Sequence, residues 1–175
     1  MAFGIRKPNV SPIAVDFGVS SLKVIQIEPG NNPSLIAAAA LDTPYHLLHD
    51  DEQRLTFQRS SLPKLVRGGG FVGKRAVCSV SSLRTLVQSV QVQRTQGVPI
   101  TDLVNEQIKQ ITGRDPRSLI IRQCEVCEVN RAGQKRTEVI CFAMPRDVVI
   151  THMKALRGAR LDPVGIHCEH TAALR

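Results

Sequence analysis

Hydrophobic and polar residues alternate near the start of the chain, as is typical of β-strands. The short apolar run of residues 12–18 predicts one strand, and the alternating residues 22–28 predict a second. Gly18 and the residues after it would join them as a hairpin. A turn rich in proline and asparagine occupies residues 29–33, and residues 34–41 predict a third strand.

The rest of the chain divides into further helical and extended segments. In order, the pattern predicts a helix over 50–67, strands over 76–80 and 85–93, a helix over 101–112, a hairpin of strands 119–130 and 136–143, a helix from 145, a strand over 163–168 and a helix beginning within 172–175. Pro63 should kink or split the first helix. Thr101 is the expected N-cap of the second helix, Gly113 its stop, and Pro145 the first residue of the third. This order predicts an α+β fold in which a small lobe is inserted before the last strand.

Composition is that of an ordinary soluble globular protein, with 42% hydrophobic and 22% charged residues. Aromatic residues make up 3% and tryptophan is missing, which argues against a stacking platform for single-stranded nucleic acid. The formal net charge is +8, but no run of Lys or Arg marks a nucleic-acid arm. A solvated basic surface is therefore favoured over a phosphate-binding face, and weak attraction to an anionic membrane surface stays open.

Five cysteines and a polar N-terminus indicate a reducing cytosol with free thiols. Cys124 and Cys127 lie three residues apart in a predicted strand, so their thiols should point to opposite faces, which argues against a metal site. His167 and Glu169 should share one face of the last strand, but no third ligand is evident. No apolar stretch of about 18 residues is available to span a membrane.

Residues 68–74 (GGGFVGK) fit the spacing of a P-loop but lack its context. Arg75 stands where a serine or threonine should bind Mg²⁺. In addition, a predicted helix precedes the motif and a predicted strand follows it, which reverses the required order. The glycines are therefore interpreted as a loop.

Residues 16–23 (DFGVSSLK), between the first two predicted strands, carry the strongest candidate chemistry. Gly18 permits a tight turn whose amides can point at a phosphate oxygen, and Ser20 and Ser21 add hydroxyl donors. Lys23 can direct a positive charge to the same anion, and Asp16 can hold a hydrated Mg²⁺. The alternative is a plain hairpin with a polar turn.

Residues 13–28 (IAVDFGVSSLKVIQIE) resemble the phosphate-1 segment of actin-like ATPases, and most closely the PilM family of type IV pilus assembly proteins, relatives of the division protein FtsA. Weaker resemblance covers most of the remaining chain, at residues 74–80, 83–87, 101–112, 139–146, 147–156 and 162–175. The resemblance implies an actin-like (ribonuclease H-like) subdomain IA with a small inserted α+β subdomain IC.

The resemblance also implies a domain division. Residues 1–72 would form the first part of subdomain IA, residues 73–144 the inserted subdomain IC, and residues 145–175 the returning helix and strand. The second actin-like half should begin where this sequence stops, so the sequence would be either a fragment or a half-domain that scaffolds. Asp16, Gly18, Ser20, Ser21 and Lys23 would then form one wall of a site for ATP and Mg²⁺, with weak ATPase activity at most.

The function implied by the family is that of a cytoplasmic adaptor at the inner-membrane platform of type IV pilus assembly. It would dock the N-terminal cytoplasmic segment of a PilN-like protein in a groove between its two lobes. It would also meet other pilus assembly proteins and reach the membrane through its partners. A type II secretion platform protein of the same fold is the nearest alternative. An FtsA-like division scaffold, or a relative of sugar and acetate kinases, is more distant.

Overall fold

A computed structural model of the chain describes residues 10–131 and 133–172, which form two compact units. The first unit takes the described residues up to 81 and those from 151 onward, and the second is Ser82–Ile150. No helix within the described ranges combines the length and the hydrophobicity that crossing a membrane requires. The structure confirms the α+β prediction.

Eight strands and four helices follow one another along the described residues. In chain order they are β1 (Ile13–Phe17), β2 (Ser21–Glu28), β3 (Ser34–Asp42), α1 (Asp51–Gly68), β4 (Arg75–Val80), β5 (Leu86–Val92), α2 (Ile100–Thr112), β6 (Leu119–Arg131), β7 (Gln134–Pro145), α3 (Arg146–Gly158), β8 (Asp162–Cys168) and α4 (Glu169–Ala172). Short 3-10 turns lie at Tyr45–Leu47, Ser82–Arg84 and Pro116–Ser118.

The first unit contains a five-stranded sheet in the order β3-β2-β1-β4-β8. β1 and β2 are antiparallel, as are β2 and β3, whereas β1, β4 and β8 are parallel neighbours. β2 therefore runs opposite to the other four strands. The predicted hairpin of β1 and β2 is confirmed, with Asp16 directly opposite Lys23.

One face of this sheet forms the core of the first unit. Alternate residues of β1 are buried, and Ile13 and Val15 pack in one cluster with Leu62 of α1 and Leu156 of α3. Because strand side chains alternate between faces, the intervening positions of β1 lie on the opposite face. Asp16 is among them, so the candidate site lies on the face away from this core.

Helix α1 is continuous through Pro63 rather than split there. Its first turn is capped by the Asp50 carboxylate, which accepts hydrogen bonds from the amides of Glu52 and Gln53. Leu62, next to the proline, is fully buried in the core. Packing on both sides of the proline holds the helix together although one intrahelical hydrogen bond cannot form.

The second unit is a three-stranded antiparallel sheet, in the order β5-β7-β6, packed against α2. Val104 and Ile108 of α2 are fully buried in one cluster with Val139 and Cys141 of β7. The amphipathic spacing that predicts this helix is therefore the spacing that builds the core.

Two predicted helix starts are wrong. α2 is capped by the carbonyl of Pro99, which accepts from the amide of Asp102, and Thr101 lies inside the helix. Pro145 is the last residue of β7, opposite Leu119, and α3 begins one residue later. In both places tertiary pairing, which local patterns do not report, sets the boundary.

The inserted unit begins later than residue 73. β4 lies inside the first sheet, between β1 and β8, because its residues pair with both strands. The second unit accordingly starts at Ser82 and extends to Ile150, past the expected return at residue 145.

The predicted divergence of Cys124 and Cys127 is also wrong. The register between β6 and β7 shifts between Glu125 and Cys127, which inserts an extra residue into β6. Cys124 consequently pairs with Ile140 and Cys127 with Glu138, two positions that share a face of β7. Both thiols are exposed on that face.

Candidate functional site

A row of polar side chains crosses the open face of the first sheet at one level. Asp16 of β1 pairs with Lys23 of β2 on one side and with Ser79 of β4 on the other. Ser79 in turn pairs with His167 of β8. Because directly paired residues place their side chains on the same face, these four groups lie next to one another across four strands.

Asp16 is the centre of this row. Its Oδ1 accepts a hydrogen bond from the Ser79 hydroxyl at 2.6 Å, and its Oδ2 lies 3.9 Å from Lys23 Nζ. The side chains of Lys23 and Asp16 are 60% and 47% exposed, so the pair is accessible and contributes little to stability. The acid and the amine therefore lie together on this face, where Lys23 could bind an anion and Asp16 a hydrated cation.

The loop between β1 and β2 offers amide donors beside this pair. The N–H groups of Gly18, Val19 and Ser20 make no hydrogen bond within residues 10–131 and 133–172. Ser20 is exposed, whereas Ser21 is 6% exposed at the start of β2. Successive free amides in a turn can bind an anion. These three belong to the loop that connects the strand of Asp16 to the strand of Lys23.

Two contacts hold the loop in place. The carbonyl of Gly18 accepts a hydrogen bond from Gln58 Nε2 at 2.7 Å, and the carbonyl of Ser20 accepts from the amide of Thr43 at 2.8 Å. Gln58 belongs to α1 and is 1% exposed. Because the carbonyls of Gly18 and Ser20 are both hydrogen-bonded within the protein, the loop does not depend on a ligand for its shape.

A groove of about 700 Å³ runs over the same face, lined mainly by alanine and valine together with the polar row. Asp16, Lys23, Ser79 and His167 all contribute to it. A largely apolar groove with a few convergent polar groups is the usual form of a small-molecule site. Within this groove, Lys23 is the group that suits a phosphate oxygen.

The residues present fit a nucleotide phosphate better than a directly bound metal. No group of three or more His, Cys, Asp and Glu able to hold a metal occurs in the described part of the chain. Asp16 is the nearest carboxylate, so a Mg²⁺ ion would take its other ligands from water and phosphate.

The structure leaves other sequence candidates without a site. Glu169 is the first residue of α4 rather than part of the last strand, so it does not share a strand face with His167 as expected. That helix begins earlier than residue 172, and residues 173–175 lie outside the described ranges. Gly68 ends α1 before an irregular segment and β4, which is the order that excludes a P-loop.

Sequence reasoning missed Gln58, Ser79 and His167 as parts of the site. The burial of Gln58 could have been inferred, because it lies at helical spacing between the leucines Leu55 and Leu62 of α1. Ser79 and His167 carried no such signal, because their place beside Asp16 follows only from the pairing of β1, β4 and β8.

Comparisons with known proteins bear on the fold. No protein-family profile and no curated protein sequence matches the chain. A chain of the PilM–PilN type IV pilus biogenesis complex is similar with a TM-score of 0.72 and 22% sequence identity, over 95% of this chain and 50% of that one. The cytoplasmic domain of EpsL, an inner membrane component of the type II secretion system of Vibrio cholerae, has a TM-score of 0.52 and 9% identity, over 89% of this chain and 56% of that one.

This chain therefore spans about half the length of the solved structures that it matches. At such identities the similarity establishes the fold, and the resemblance found in the sequence is confirmed at that level. The protein is PilM-like in its fold.

Proposed function

We propose that this protein acts in type IV pilus assembly as an actin-like cytoplasmic adaptor at the inner-membrane platform. The observation that carries the proposal is the likeness to a chain of the PilM–PilN complex over 95% of this sequence. The sheet order β3-β2-β1-β4-β8 with a second unit inserted after β4 supports the expected subdomain IA with an inserted subdomain IC. The partner is the N-terminal cytoplasmic segment of a PilN-like protein, and other pilus assembly proteins would join through it.

Calorimetric titration of the chain with a synthetic peptide of such an N-terminal segment tests the docking. We expect saturable heat at micromolar peptide concentrations, and a scrambled peptide of the same composition should give none. Circular dichroism should confirm that the chain is folded during the titration. If a folded chain gives no heat at high micromolar peptide concentrations, the proposed adaptor function is wrong.

We further propose that Asp16, Gly18, Ser20, Ser21 and Lys23 form one wall of a site for ATP and Mg²⁺. Free amides, an adjacent ammonium group and a groove on the same sheet face support it. With one wall only, the nucleotide stays largely in water, where each charge interaction is weak. Binding by this chain alone should therefore be weak, and hydrolysis slight.

A fluorescent ATP analogue with Mg²⁺, titrated against Lys23→Ala, tests the site. Removal of the ammonium group should weaken binding about three- to tenfold, in the range of an exposed charge-assisted contact. Lys64→Ala is the matched control, because Lys64 is an exposed lysine of α1 away from the groove. Equal affinity for both variants would take Lys23 out of the site.

A second candidate is a type II secretion platform protein. The likeness to the EpsL cytoplasmic domain favours it, although the TM-score is 0.52 against 0.72 for the pilus structure. Pull-down of this chain with the cytoplasmic segments of pilus and secretion membrane proteins, in parallel, separates the two. Retention by the secretion segment alone would favour the second candidate.

A further inference from the structure

Strand β6 leaves one edge of the second sheet open. The sheet order is β5-β7-β6, and β6 pairs with β7 alone among the described strands. In an antiparallel sheet every second residue of an edge strand points its N–H and C=O groups away from its partner. β6 has 13 residues, so this edge is long.

The two halves of that edge differ in character. At and beyond the register shift, the strand carries the exposed charges of Glu125, Glu128 and Arg131. A bulge with charges is how proteins usually protect an edge. Before the shift, the strand begins with the apolar run Leu119–Ile121. Residues 119–123 contain no bulge and one charged residue, Arg122, whose guanidinium donates to the carbonyl of Ile121 at 3.1 Å. This half is therefore less protected than the far half.

A groove of about 500 Å³ lies between α2 and this near half of β6. Three arginines line it, namely Arg117, Arg122 and Arg146, and no Asp or Glu is among its described lining residues. Arg117 pairs with Asp115, whereas Arg122 and Arg146 form no ion pair within the described residues. The groove therefore carries uncompensated positive charge.

Internal hydrogen bonds position these groups. Arg146 Nε donates to the carbonyl of Arg117 at 2.7 Å, which holds its guanidinium at the start of β6. Gln123 Nε2 donates to Thr101 Oγ1 at 3.2 Å, while the buried Gln123 Oε1 has no hydrogen-bond partner among the described residues. These contacts fix the Arg146 guanidinium and the Gln123 side chain beside the first residues of β6.

We propose that residues 119–123 of β6 bind an extended acidic peptide segment as a fourth strand of the second sheet. Its backbone would pair with the open edge, and its carboxylates would meet Arg122 and Arg146. This surface lies within the second unit and does not depend on the proposed pilus role. The groove on the other side of α2, beside β5, is lined by two acids, Asp102 and Glu106, and one arginine, Arg136. An acidic peptide is therefore expected to prefer the groove beside β6.

Fluorescence anisotropy with the full chain tests the recognition. The probe is a fluorescein-labelled nine-residue peptide in which glutamate alternates with valine, and a version with lysine in place of glutamate is its control. We expect saturable binding of the acidic peptide and at least tenfold weaker binding of the basic one. Arg122→Ala should weaken the acidic peptide about three- to tenfold.

Arg131→Ala is the matched control, because it removes the same charge from the same strand beyond the register shift. It should leave the affinity within about twofold, since rim charges contribute little. If Arg122→Ala and Arg131→Ala lose the same affinity for the acidic peptide, the peptide is attracted by net charge only and the proposal is wrong. The proposal is also wrong if the acidic peptide does not bind.

Amide hydrogen exchange with and without the acidic peptide distinguishes strand addition from a charged patch. Amides of residues 119–123 should exchange more slowly in the complex, while those of the other edge strand, β5, should not change. Binding without slower exchange in β6, or with equal slowing in β5, contradicts the added strand.

Discussion

Gly18 shows how one residue shapes the candidate site. A Cβ atom there would lie 2.9 Å from the carbonyl oxygen of Ser21 and 3.3 Å from Asp16 Oδ2. Its φ is not in the left-handed region, so space and not the backbone angle requires glycine. We expect Gly18→Ala to lower the free energy of unfolding by about 1–3 kcal/mol, because backbone must shift to admit the methyl group. Urea unfolding followed by circular dichroism measures the change.

Gly30→Ala is the control for that substitution. Gly30 lies in the turn between β2 and β3, and a Cβ added there meets no atom within 4 Å. Its free energy of unfolding should stay the same or rise by less than about 1 kcal/mol, because alanine restricts the unfolded chain. If both variants lose the same stability, crowding at Gly18 is not the cause.

The five cysteines should fall into two reactivity classes. Cys124 and Cys127 are exposed, whereas Cys78, Cys141 and Cys168 are buried. Burial raises the pKa of Cys78 to about 12, so that thiol stays neutral and unreactive at pH 8. An aromatic disulfide reagent at pH 8 should therefore modify two thiols rapidly in the folded chain and the others only on unfolding.

Because Cys124 and Cys127 share a face of the sheet, a reagent that binds two thiols at once can test their arrangement. A trivalent arsenical needs two neighbouring thiols, so phenylarsine oxide should protect the fast-reacting pair from modification. Cys124→Ser should abolish this protection and leave one fast thiol, while Cys168→Ser should leave it intact. Protection that survives Cys124→Ser would contradict the register of β6.

At the scale of elements, Pro63 lowers the stability of helix α1. Proline has no N–H group, so the carbonyl four residues earlier lacks its helical partner. We expect Pro63→Ala to raise the free energy of unfolding by about 1–2 kcal/mol, because the restored hydrogen bond outweighs the greater freedom of the unfolded chain. Thermal and urea unfolding measure it.

Lys64→Ala, one position later on the exposed side of α1, should change stability by less than about 0.5 kcal/mol. A loss of stability in Pro63→Ala would mean that the proline ring itself packs in a way that alanine cannot replace.

Element type was predictable where a periodic face is buried locally. The spacing of Val104 and Ile108 predicts α2, and alternation along β1 predicts its buried face. The start of α3 and the register shift in β6 were not predictable, because β7 continues through Pro145 and pairs with β6 around an extra residue. These features depend on a neighbouring strand that the local pattern does not contain.

At the scale of the whole molecule, the site combines near and distant parts of the chain. Asp16, Gly18 and Lys23 lie on one hairpin, so their proximity followed from the sequence. Ser79 reaches Asp16 across 63 residues, a contact that depends on sheet order. Gln58 reaches Gly18 across 40 residues, a contact that depends on how α1 packs. The hairpin could therefore be identified from the sequence, but its contacts with Ser79 and Gln58 could not.

The two units have separate buried clusters that share no residue. Leu62 of α1 belongs to one and Ile108 of α2 to the other, and both side chains are fully buried. We expect each of the variants Leu62→Ala and Ile108→Ala to lower the free energy of unfolding of its own unit by about 2–5 kcal/mol. Each substitution leaves a cavity in an aliphatic core. Amide hydrogen exchange resolves which strands lose protection.

We expect Leu62→Ala to speed exchange in β1 and β4 and to leave β7 unchanged, and Ile108→Ala to do the reverse. Because the clusters are separate, the double variant should show the two effects side by side without enhancement. Loss of protection in β7 from Leu62→Ala would mean that the chain unfolds as one cooperative body, and the inserted unit would then owe its stability to the first sheet.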